Sequence, residues 1–123
     1  MARILLVEDN LLNRELMQQM LEDAHTVTTA KDGATGVATA LASVPDLVLM
    51  DLSMPGIDGF TACKRLRDDE RTKNVAIIAV TAHAIRGDRE RVLAEGFDGY
   101  VSKPVDEDVL NATIASALEK RRR

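Results

Sequence analysis

Five short segments of the chain have the composition of β-strands. Three of them, the first, third and fourth, are continuous apolar runs without the alternation of apolar and polar residues that half-exposed strands show. Continuous runs are typical of strands buried on both faces, as in a parallel sheet covered by helices. The predicted strands are Ile4–Val7, Val27–Ala30, Leu47–Met50, Val75–Val80 and Gly99–Ser102.

Segments of helical character follow each strand. The first repeats apolar residues at helical spacing, Leu12, Leu16 and Met20, with Met17 and Leu21 beside them. The second, residues 34–42, is rich in alanine. The other three are marked by Ala62, Cys63 and Leu66, by Ile85, Val92 and Leu93, and by Val109, Leu110, Thr113, Ile114, Ala117 and Leu118.

The resulting order, βαβαβαβαβα, predicts an α/β fold in which helices cover both faces of a parallel sheet. Right-handed crossovers and five strands favour the doubly wound strand order 2-1-3-4-5 known for flavodoxin-like folds. In such sheets, ligands bind beyond the carboxyl ends of the strands, at the switch point between strands 1 and 3.

Composition narrows the range of functions. A chain of 123 residues with 46% hydrophobic residues is long enough for one domain, residues 1–123, with a real core. The net charge of −4 argues against nonspecific binding to nucleic acid. The single cysteine, Cys63, excludes an internal disulfide. The basic run at residues 120–123 is expected to be a solvated helix end or a disordered tail.

No targeting or membrane segment is visible. The chain opens directly on a strand-like run, and no apolar run approaches the roughly 20 residues that span a membrane. A cytoplasmic protein without membrane insertion is therefore expected.

Three acidic residues are placed where the predicted strands end. Glu8 and Asp9 follow strand 1, and Asp51 follows strand 3. Carboxylates brought this close repel one another, and a divalent cation removes the conflict. The hard cation Mg²⁺ suits such a site, with Mn²⁺ as an alternative. We expect Asp9 and Asp51 to bind the metal directly and Glu8 to orient a metal-bound water.

Two further strand ends supply polar groups. Strand 4 ends at Thr81 and strand 5 ends before Lys103, so a hydroxyl and an ammonium are predicted at the same edge of the sheet. Each residue alone has an ordinary structural explanation, but together they suit a phosphoryl group, which needs charge neutralisation and directional donors. A carboxylate can act as the nucleophile. The site therefore predicts phosphorylation of Asp51.

The chain resembles the receiver domains of bacterial two-component response regulators, which have the CheY-like fold. The resemblance extends over the whole chain and rests on four segments. These are "LLVEDN" (Leu5–Asn10), "LMDLSMPGIDG" (Leu49–Gly59), "AVTA" (Ala79–Ala82) and "GYVSKP" (Gly99–Pro104).

The resemblance implies a role for each site residue. Asp51 would be the phosphoacceptor, with Thr81 and Lys103 bonded to phosphoryl oxygens. The Mg²⁺ ligands would be Asp9, Asp51 and the backbone carbonyl of Ser53, with Glu8 acting through water. The Lys103–Pro104 bond would be cis.

Four residues are expected to tune the response. The resemblance makes Tyr100 and Thr81 a conformational switch, although Tyr100 could also be an ordinary half-buried edge-strand tyrosine. Ser53 and His83 would line the path of the water that hydrolyses the phosphoryl group and so set its lifetime. For His83, a solvated loop histidine is an equally good interpretation.

As a receiver, the chain would take its phosphoryl group from a histidine kinase or a histidine phosphotransfer protein. It would catalyse nothing on an external substrate. With no DNA-binding output domain in the sequence, it would signal to a downstream protein through helix 4, strand 5 and helix 5, as a monomer or weak dimer. The segment "EDNLLNRELM" (Glu8–Met17) resembles receivers fused to hybrid kinases and stand-alone receivers of the DivK type.

Three alternatives stay open at this point. A phosphatase of the haloacid dehalogenase type needs a second acid two residues after the nucleophile, where this chain has Ser53. A flavodoxin-like cofactor binder would not place Glu8 and Asp9 where a phosphate binds. A degenerate receiver that only mediates contacts would not need all the chemical positions filled.

Two local features depart from the family pattern. The turn at residues 23–26 lacks the glycine that commonly caps a helix, so it must close differently. Gly36 lies inside the second helix at a cost of roughly 1 kcal/mol relative to alanine.

Overall fold

The structure, a computed structural model, describes residues 2–82 and 88–122, in which five strands alternate with five helices. The strands are β1 (Arg3–Val7), β2 (Thr26–Ala30), β3 (Leu47–Asp51), β4 (Ala76–Thr81) and β5 (Gly99–Ser102). The helices are α1 (Leu11–Leu21), α2 (Gly33–Ala42), α3 (Gly59–Asp68), α4 (Asp88–Ala94) and α5 (Glu107–Arg122).

The five strands form one parallel sheet in the order β2-β1-β3-β4-β5, which confirms the predicted topology. The register places Val7 opposite Met50 and Asp51 opposite Val80. It also pairs Thr81 with Ser102. The carboxyl ends of four strands therefore meet along one edge, as the site prediction requires.

Successive residues of each strand face opposite sides of the sheet, which produces two buried layers. On one side, Leu5, Val48 and Ile77 pack with residues of α2, α3 and α4. On the other side, Ile4, Leu49 and Ile78 pack with residues of α1 and α5. Burial on both sides explains why these strands are continuous apolar runs.

The predicted apolar stripe of α1 meets the core only at Met20, which is partly buried. Met17 and Leu21 are buried, whereas Leu12 and Leu16 expose 65% and 45% of their surface. The helix is turned so that the neighbouring row of residues, one position along, meets the sheet. The leucines of the stripe are left as an apolar surface.

Both local departures from the family pattern have a structural explanation. A Cβ atom at Gly36 would lie 2.7 Å from Cγ2 of Val7, so the glycine allows α2 to approach β1 closely. The turn after α1 closes through hydrogen bonds from the backbone N–H groups of Ala24 and His25 to the carbonyl of Leu21. No non-glycine residue of the described ranges has a positive φ, so this turn does not use a left-handed cap.

His25 links this turn to the start of β1 and gives stability a pH dependence. Its Nδ1 accepts a hydrogen bond from the backbone N–H of Ala2 at 3.0 Å, and burial lowers the pKa of the imidazole below 6.5. The unfolded chain therefore binds more protons, and stability is lost as the pH falls below about 6.5. Between pH 7.5 and 5.5, we expect the melting temperature of His25→Asn to fall less than that of the wild type, because asparagine keeps a hydrogen-bond acceptor but does not titrate. Equal losses in the two proteins would contradict this role.

Of the two expectations for the basic run, a helix end rather than a disordered tail is found for residues 120–122. Helix α5 continues through Arg122, and Arg121 forms an ion pair with Asp98 at 2.8 Å. Asp98 precedes β5, and its side chain is only 1% exposed. The end of α5 is therefore fixed to the sheet by a buried charge. In the part of the chain that the structure describes, no helix has both the length and the apolar character of a membrane span.

Candidate functional site

Glu8 and Asp9 lie in the short connection between β1 and α1. The backbone N–H of Glu8 donates to the carbonyl of Ala30, which continues the pairing of β1 with β2 for one more residue. The side chain of Glu8 turns inward, is 1% exposed, and accepts a hydrogen bond from the backbone N–H of Asn10 through Oε2. Asp9 is exposed to solvent. Helix α1 begins after Asn10, whose side chain accepts from the N–H of Asn13 as an N-cap.

Asp51 is the last residue of β3 and is 2% exposed. Its Oδ1 accepts a hydrogen bond from the backbone N–H of Ser53 at 3.0 Å, so the loop that follows the strand folds back over the carboxylate. Its Oδ2 faces Lys103. The apolar strand thus ends in a buried carboxylate that has its own hydrogen-bond donors, which offsets the cost of removing the charge from water.

Lys103 connects the two carboxylates. Its Nζ lies 3.2 Å from Oδ2 of Asp51 and 2.7 Å from Oε1 of Glu8. The contact with Oε1 has the distance of an ion pair without hydrogen-bond geometry, so Oε1 is a buried oxygen that receives no hydrogen bond from the described residues. The backbone N–H of Lys103 donates to the carbonyl of Thr81 at 2.7 Å, and the following peptide bond, Lys103–Pro104, is cis as expected.

Burial and the charges of the cluster shift the pKa values of two side chains, Glu8 and Lys103. Burial raises the pKa of Glu8 to about 7, and the nearby Asp51 carboxylate adds to this effect while Lys103 opposes it. Burial acts to lower the pKa of Lys103, but contact with Glu8 and Asp51 outweighs it and raises that pKa above 10.5. The single ammonium does not fully compensate the acidic residues around it.

The residues fit a divalent cation. Carboxylate oxygens of Glu8, Asp9 and Asp51 all lie within 4.8 Å of one another. Two of these side chains, Glu8 and Asp51, are buried, and Oε1 of Glu8 receives no hydrogen bond from the part of the chain that the structure describes. Oxygen ligands from a few carboxylates, completed by water, are what Mg²⁺ prefers. A cation here would neutralise charge that Lys103 leaves uncompensated.

The structure places the other predicted residues around this cluster. Thr81 is 3% exposed and ends β4, one residue beyond the strand partner of Asp51. Ser53 is exposed on the loop after β3. Tyr100 is half-buried in β5, two residues before the partner of Thr81, and packs against the core. His83 lies outside the described residues.

Gly59 is a site residue that the sequence interpretation missed. It begins α3, and a Cβ atom there would lie 2.5 Å from the carbonyl oxygen of Asp51 and 2.8 Å from Cα of Leu52. Both neighbours are backbone atoms, so they cannot move aside as a flexible side chain would. In the sequence, Gly59 is the second glycine of "PGIDG", and the interpretation of this segment as a loop gave it no role.

Gly59→Ala is expected to displace Asp51. Overpacking of this kind costs about 1–3 kcal/mol of stability, and the shift of the carboxylate should slow the phosphorylation that the sequence predicts for Asp51 several-fold. Denaturant unfolding and a phosphorylation time course would measure both effects. Gly99→Ala is the matched control, because its new Cβ would meet side-chain atoms rather than backbone: the methyl group of Thr113 at 2.9 Å and Cγ1 of Ile78 at 3.5 Å. Equal phosphorylation rates in the two variants would argue against the contact.

The fold and the site together define the class of protein to which this chain belongs. The molecule is a doubly wound α/β domain with a buried carboxylate at the end of the third strand, two further acids and a lysine around it. The family model described as the response regulator receiver domain matches residues 4–115. The chain belongs to this family and is a receiver domain of two-component signalling.

Two relatives illustrate the range of the family. Response regulator PleD of Caulobacter vibrioides is 40% identical over 116 residues, which cover 94% of this chain but only 26% of PleD. The polar-differentiation response regulator DivK of Brucella ovis is 36% identical over 116 residues, which cover 94% of both chains. The chain thus spans about a quarter of one relative and nearly all of the other.

Solved structures agree with the fold. The receiver domain of the sensor histidine kinase PA1611 of Pseudomonas aeruginosa, with a magnesium ion coordinated in its active site cleft, superposes with a TM-score of 0.88 at 36% identity, covering 96% of this chain and 98% of that one. The chemotaxis protein CheY4 of Vibrio cholerae gives a TM-score of 0.88 at 28% identity, covering 95% of this chain and 98% of that one.

Proposed function

We propose that this chain accepts a phosphoryl group on Asp51 in a Mg²⁺-dependent reaction and signals its phosphorylated state to a protein partner in the cytoplasm. The observation that carries the proposal is the geometry at Asp51. A buried carboxylate is held by the Ser53 N–H at 3.0 Å and by Lys103 at 3.2 Å, with two further acids within reach of one metal ion.

The chemistry follows from these contacts. An oxygen of Asp51 attacks the phosphorus of a phosphorylated histidine, the P–O bond forms as the P–N bond breaks, and the histidine nitrogen leaves with the electron pair. Lys103, already beside the acceptor oxygen, pairs with a phosphoryl oxygen, and the Thr81 hydroxyl donates to another. Attack of water on the phosphorus later returns Asp51 and releases inorganic phosphate. No external substrate is turned over.

Mg²⁺ would be held by Asp9, Asp51 and the Ser53 carbonyl, with Glu8 acting through water. When bound, it supplies the positive charge that lets an anionic acceptor and an anionic phosphoryl group approach each other. Binding of the ion also relieves repulsion among the acids, so it should stabilise the fold through binding linkage.

The phosphoryl donor is proposed to dock on α1. Leu11, Leu12 and Leu16 expose 59%, 65% and 45% of their surface on the helix that follows the acidic loop. A mostly apolar groove of about 120 Å³ lies between α1 and the start of the β5–α5 connection, lined by Asn13, Leu16, Met17, Met20, Lys103, Pro104 and Val105. A helix that carries a phosphohistidine could cover these leucines while its histidine faces Asp51.

Truncating this surface should affect transfer from a protein and spare transfer from a small molecule. We expect Leu12→Ser/Leu16→Ser to slow phosphotransfer from a histidine kinase that phosphorylates the wild type by about tenfold or more, because full burial of one leucine side chain contributes about 1.5–3 kcal/mol and about 1.4 kcal/mol corresponds to tenfold. The rate with acetyl phosphate should not change. Val44→Ser, in the loop between α2 and β3, is the control for loss of an exposed apolar side chain. Equal slowing with both donors would contradict docking at α1.

We propose that the phosphorylated state is recognised by the partner protein at the face formed by α4, β5 and α5. An open groove of about 510 Å³ lies there between Leu93 on α4 and Thr113 on α5, with Tyr100 in its floor. Tyr100 is two residues from the strand partner of Thr81, so a shift of Thr81 toward a phosphoryl group can be passed to this face through β5.

Intact mass after incubation with acetyl phosphate tests the proposed function. We expect a gain of one phosphoryl group when Mg²⁺ is present and no gain when a chelator is added. If the mass is unchanged with acetyl phosphate and with every kinase of a histidine-kinase panel, the chain is an interaction module and the proposal is wrong.

A further inference from the structure

We propose that Arg14 is a positioning residue for the metal site: its guanidinium fixes the peptide between Glu8 and Asp9, and thereby aims the Asp9 carboxylate at the cation. This inference rests on the proposed Mg²⁺ site and assigns that site a residue that binds neither the metal nor the phosphoryl group.

The structural basis is one contact between a helix and the acidic loop. Arg14 is the fourth residue of α1, and helical side chains lean toward the N-terminus of their helix. Its half-buried side chain reaches back over the first turn and donates from Nη1 to the backbone carbonyl of Glu8 at 2.9 Å. A charged donor to a carbonyl makes a stronger hydrogen bond than a neutral pair.

Asp9 depends on this contact because no described residue anchors its side chain. Among residues 2–82 and 88–122, no side-chain hydrogen bond or ion pair involves Asp9, which is exposed. Its neighbours are held on both sides, Glu8 by the carbonyl of Ala30 and Asn10 as the cap of α1. These contacts leave the Glu8–Asp9 peptide free to rotate. Arg14 holds the carbonyl of that peptide and so limits where the Asp9 side chain can point.

Because Arg14 is charged, the direction in which its removal changes Mg²⁺ affinity tests the proposal. A guanidinium beside an acidic loop repels Mg²⁺, so if Arg14 acted only through its charge, removing it would tighten metal binding. If Arg14 positions Asp9, removing it weakens binding. Loss of groups that orient metal ligands typically costs about 10–100-fold in affinity, and we expect about tenfold here.

The experiment is a titration with MgCl₂ at constant ionic strength, followed by amide chemical shifts, on the full chain without phosphoryl donor. Arg14→Met keeps the stem and removes the donor. Arg14→Lys restores one charged donor. Arg65→Met is the matched control, because Arg65 is an exposed arginine on α3. Asp9→Asn reports loss of a metal ligand. Melting temperature in chelator measures stability without the ion.

We expect Mg²⁺ affinity to fall about tenfold in Arg14→Met, to recover at least partly in Arg14→Lys, and to stay unchanged in Arg65→Met. Unchanged or tighter binding in Arg14→Met, together with loss of binding in Asp9→Asn, would overturn the role of Arg14 and leave the metal site standing. Absence of Mg²⁺ binding in the wild type would overturn both. A lower melting temperature with unaltered affinity would make Arg14 a stabilising residue only, and would also refute the proposal.

Discussion

Asp51→Asn is expected to abolish uptake of a phosphoryl group from both a histidine kinase and acetyl phosphate, while the protein stays folded. The amide is a poor nucleophile and cannot form the acyl phosphate. Its shape matches that of the carboxylate, so its oxygen can still accept from the N–H of Ser53. Removing one of three clustered carboxylates also lessens their repulsion. We therefore expect a melting temperature in chelator no lower than that of the wild type.

The control for this variant lies on the same loop. Asp58 caps α3 by accepting a hydrogen bond from the N–H of Thr61, and asparagine is an equally good N-cap. Asp58→Asn should therefore be phosphorylated at the wild-type rate. A singly phosphorylated Asp51→Asn protein would show that another residue accepts the phosphoryl group.

Asp98→Ala is expected to cause the largest loss of stability of any single change proposed for this chain. The Asp98 carboxylate is 1% exposed and pairs with Arg67 at 2.9 Å and with Arg121 at 2.8 Å. It also accepts from the backbone N–H of Ile77 at 2.9 Å. Removing one partner of a buried pair leaves an uncompensated charge and typically costs about 3–5 kcal/mol. That is a large part of the roughly 5–15 kcal/mol of a typical domain.

The matching control is an exposed ion pair. Asp68 pairs with Lys64 at 3.2 Å on the surface of α3, and both side chains are mostly exposed, at 65% and 76%. Such a pair contributes about 0.3–0.5 kcal/mol, so Asp68→Ala should barely change the midpoint of urea unfolding. If Asp98→Ala has an equally small effect, the Arg67–Asp98–Arg121 cluster does not hold the end of α5 to the sheet.

The sheet and its functional edge could be predicted because the pattern that encodes them is local. Continuous apolar runs identify strands buried on both faces, and the alternation with helices implies the parallel order. Once that order is known, the acids after β1 and β3 must meet at one edge. For this reason Glu8, Asp9, Asp51 and Lys103 were predicted as neighbours without any knowledge of distances.

Features that depend on how the elements pack could not be predicted in the same way. The rotation of α1 decides whether Leu16 or Met17 is buried, and both rows are apolar, so periodicity alone cannot choose between them. Arg121 looked like a solvated helix end because its partner, Asp98, is 23 residues away in the sequence. Gly59 looked like an ordinary loop glycine until α3 was seen to begin against the backbone of Asp51.

The contact of Arg14 with the acidic loop could be predicted only in part. Its reach toward the loop follows from the lean of helical side chains, so the position of an arginine four residues after the cap was a usable signal. What the sequence does not contain is the acceptor. Only the folded loop turns the carbonyl of Glu8 toward α1.

The most direct measurement is to locate the phosphoryl group by reduction. The wild-type chain is incubated with acetyl phosphate and Mg²⁺, treated with borohydride, digested and mapped by mass spectrometry. Borohydride reduces an aspartyl phosphate to homoserine and leaves free carboxylates unchanged. We expect homoserine at position 51, only when Mg²⁺ was present. A phosphorylated chain reduced at another acidic residue, or not reduced at all, would contradict the assignment of Asp51 as the acceptor.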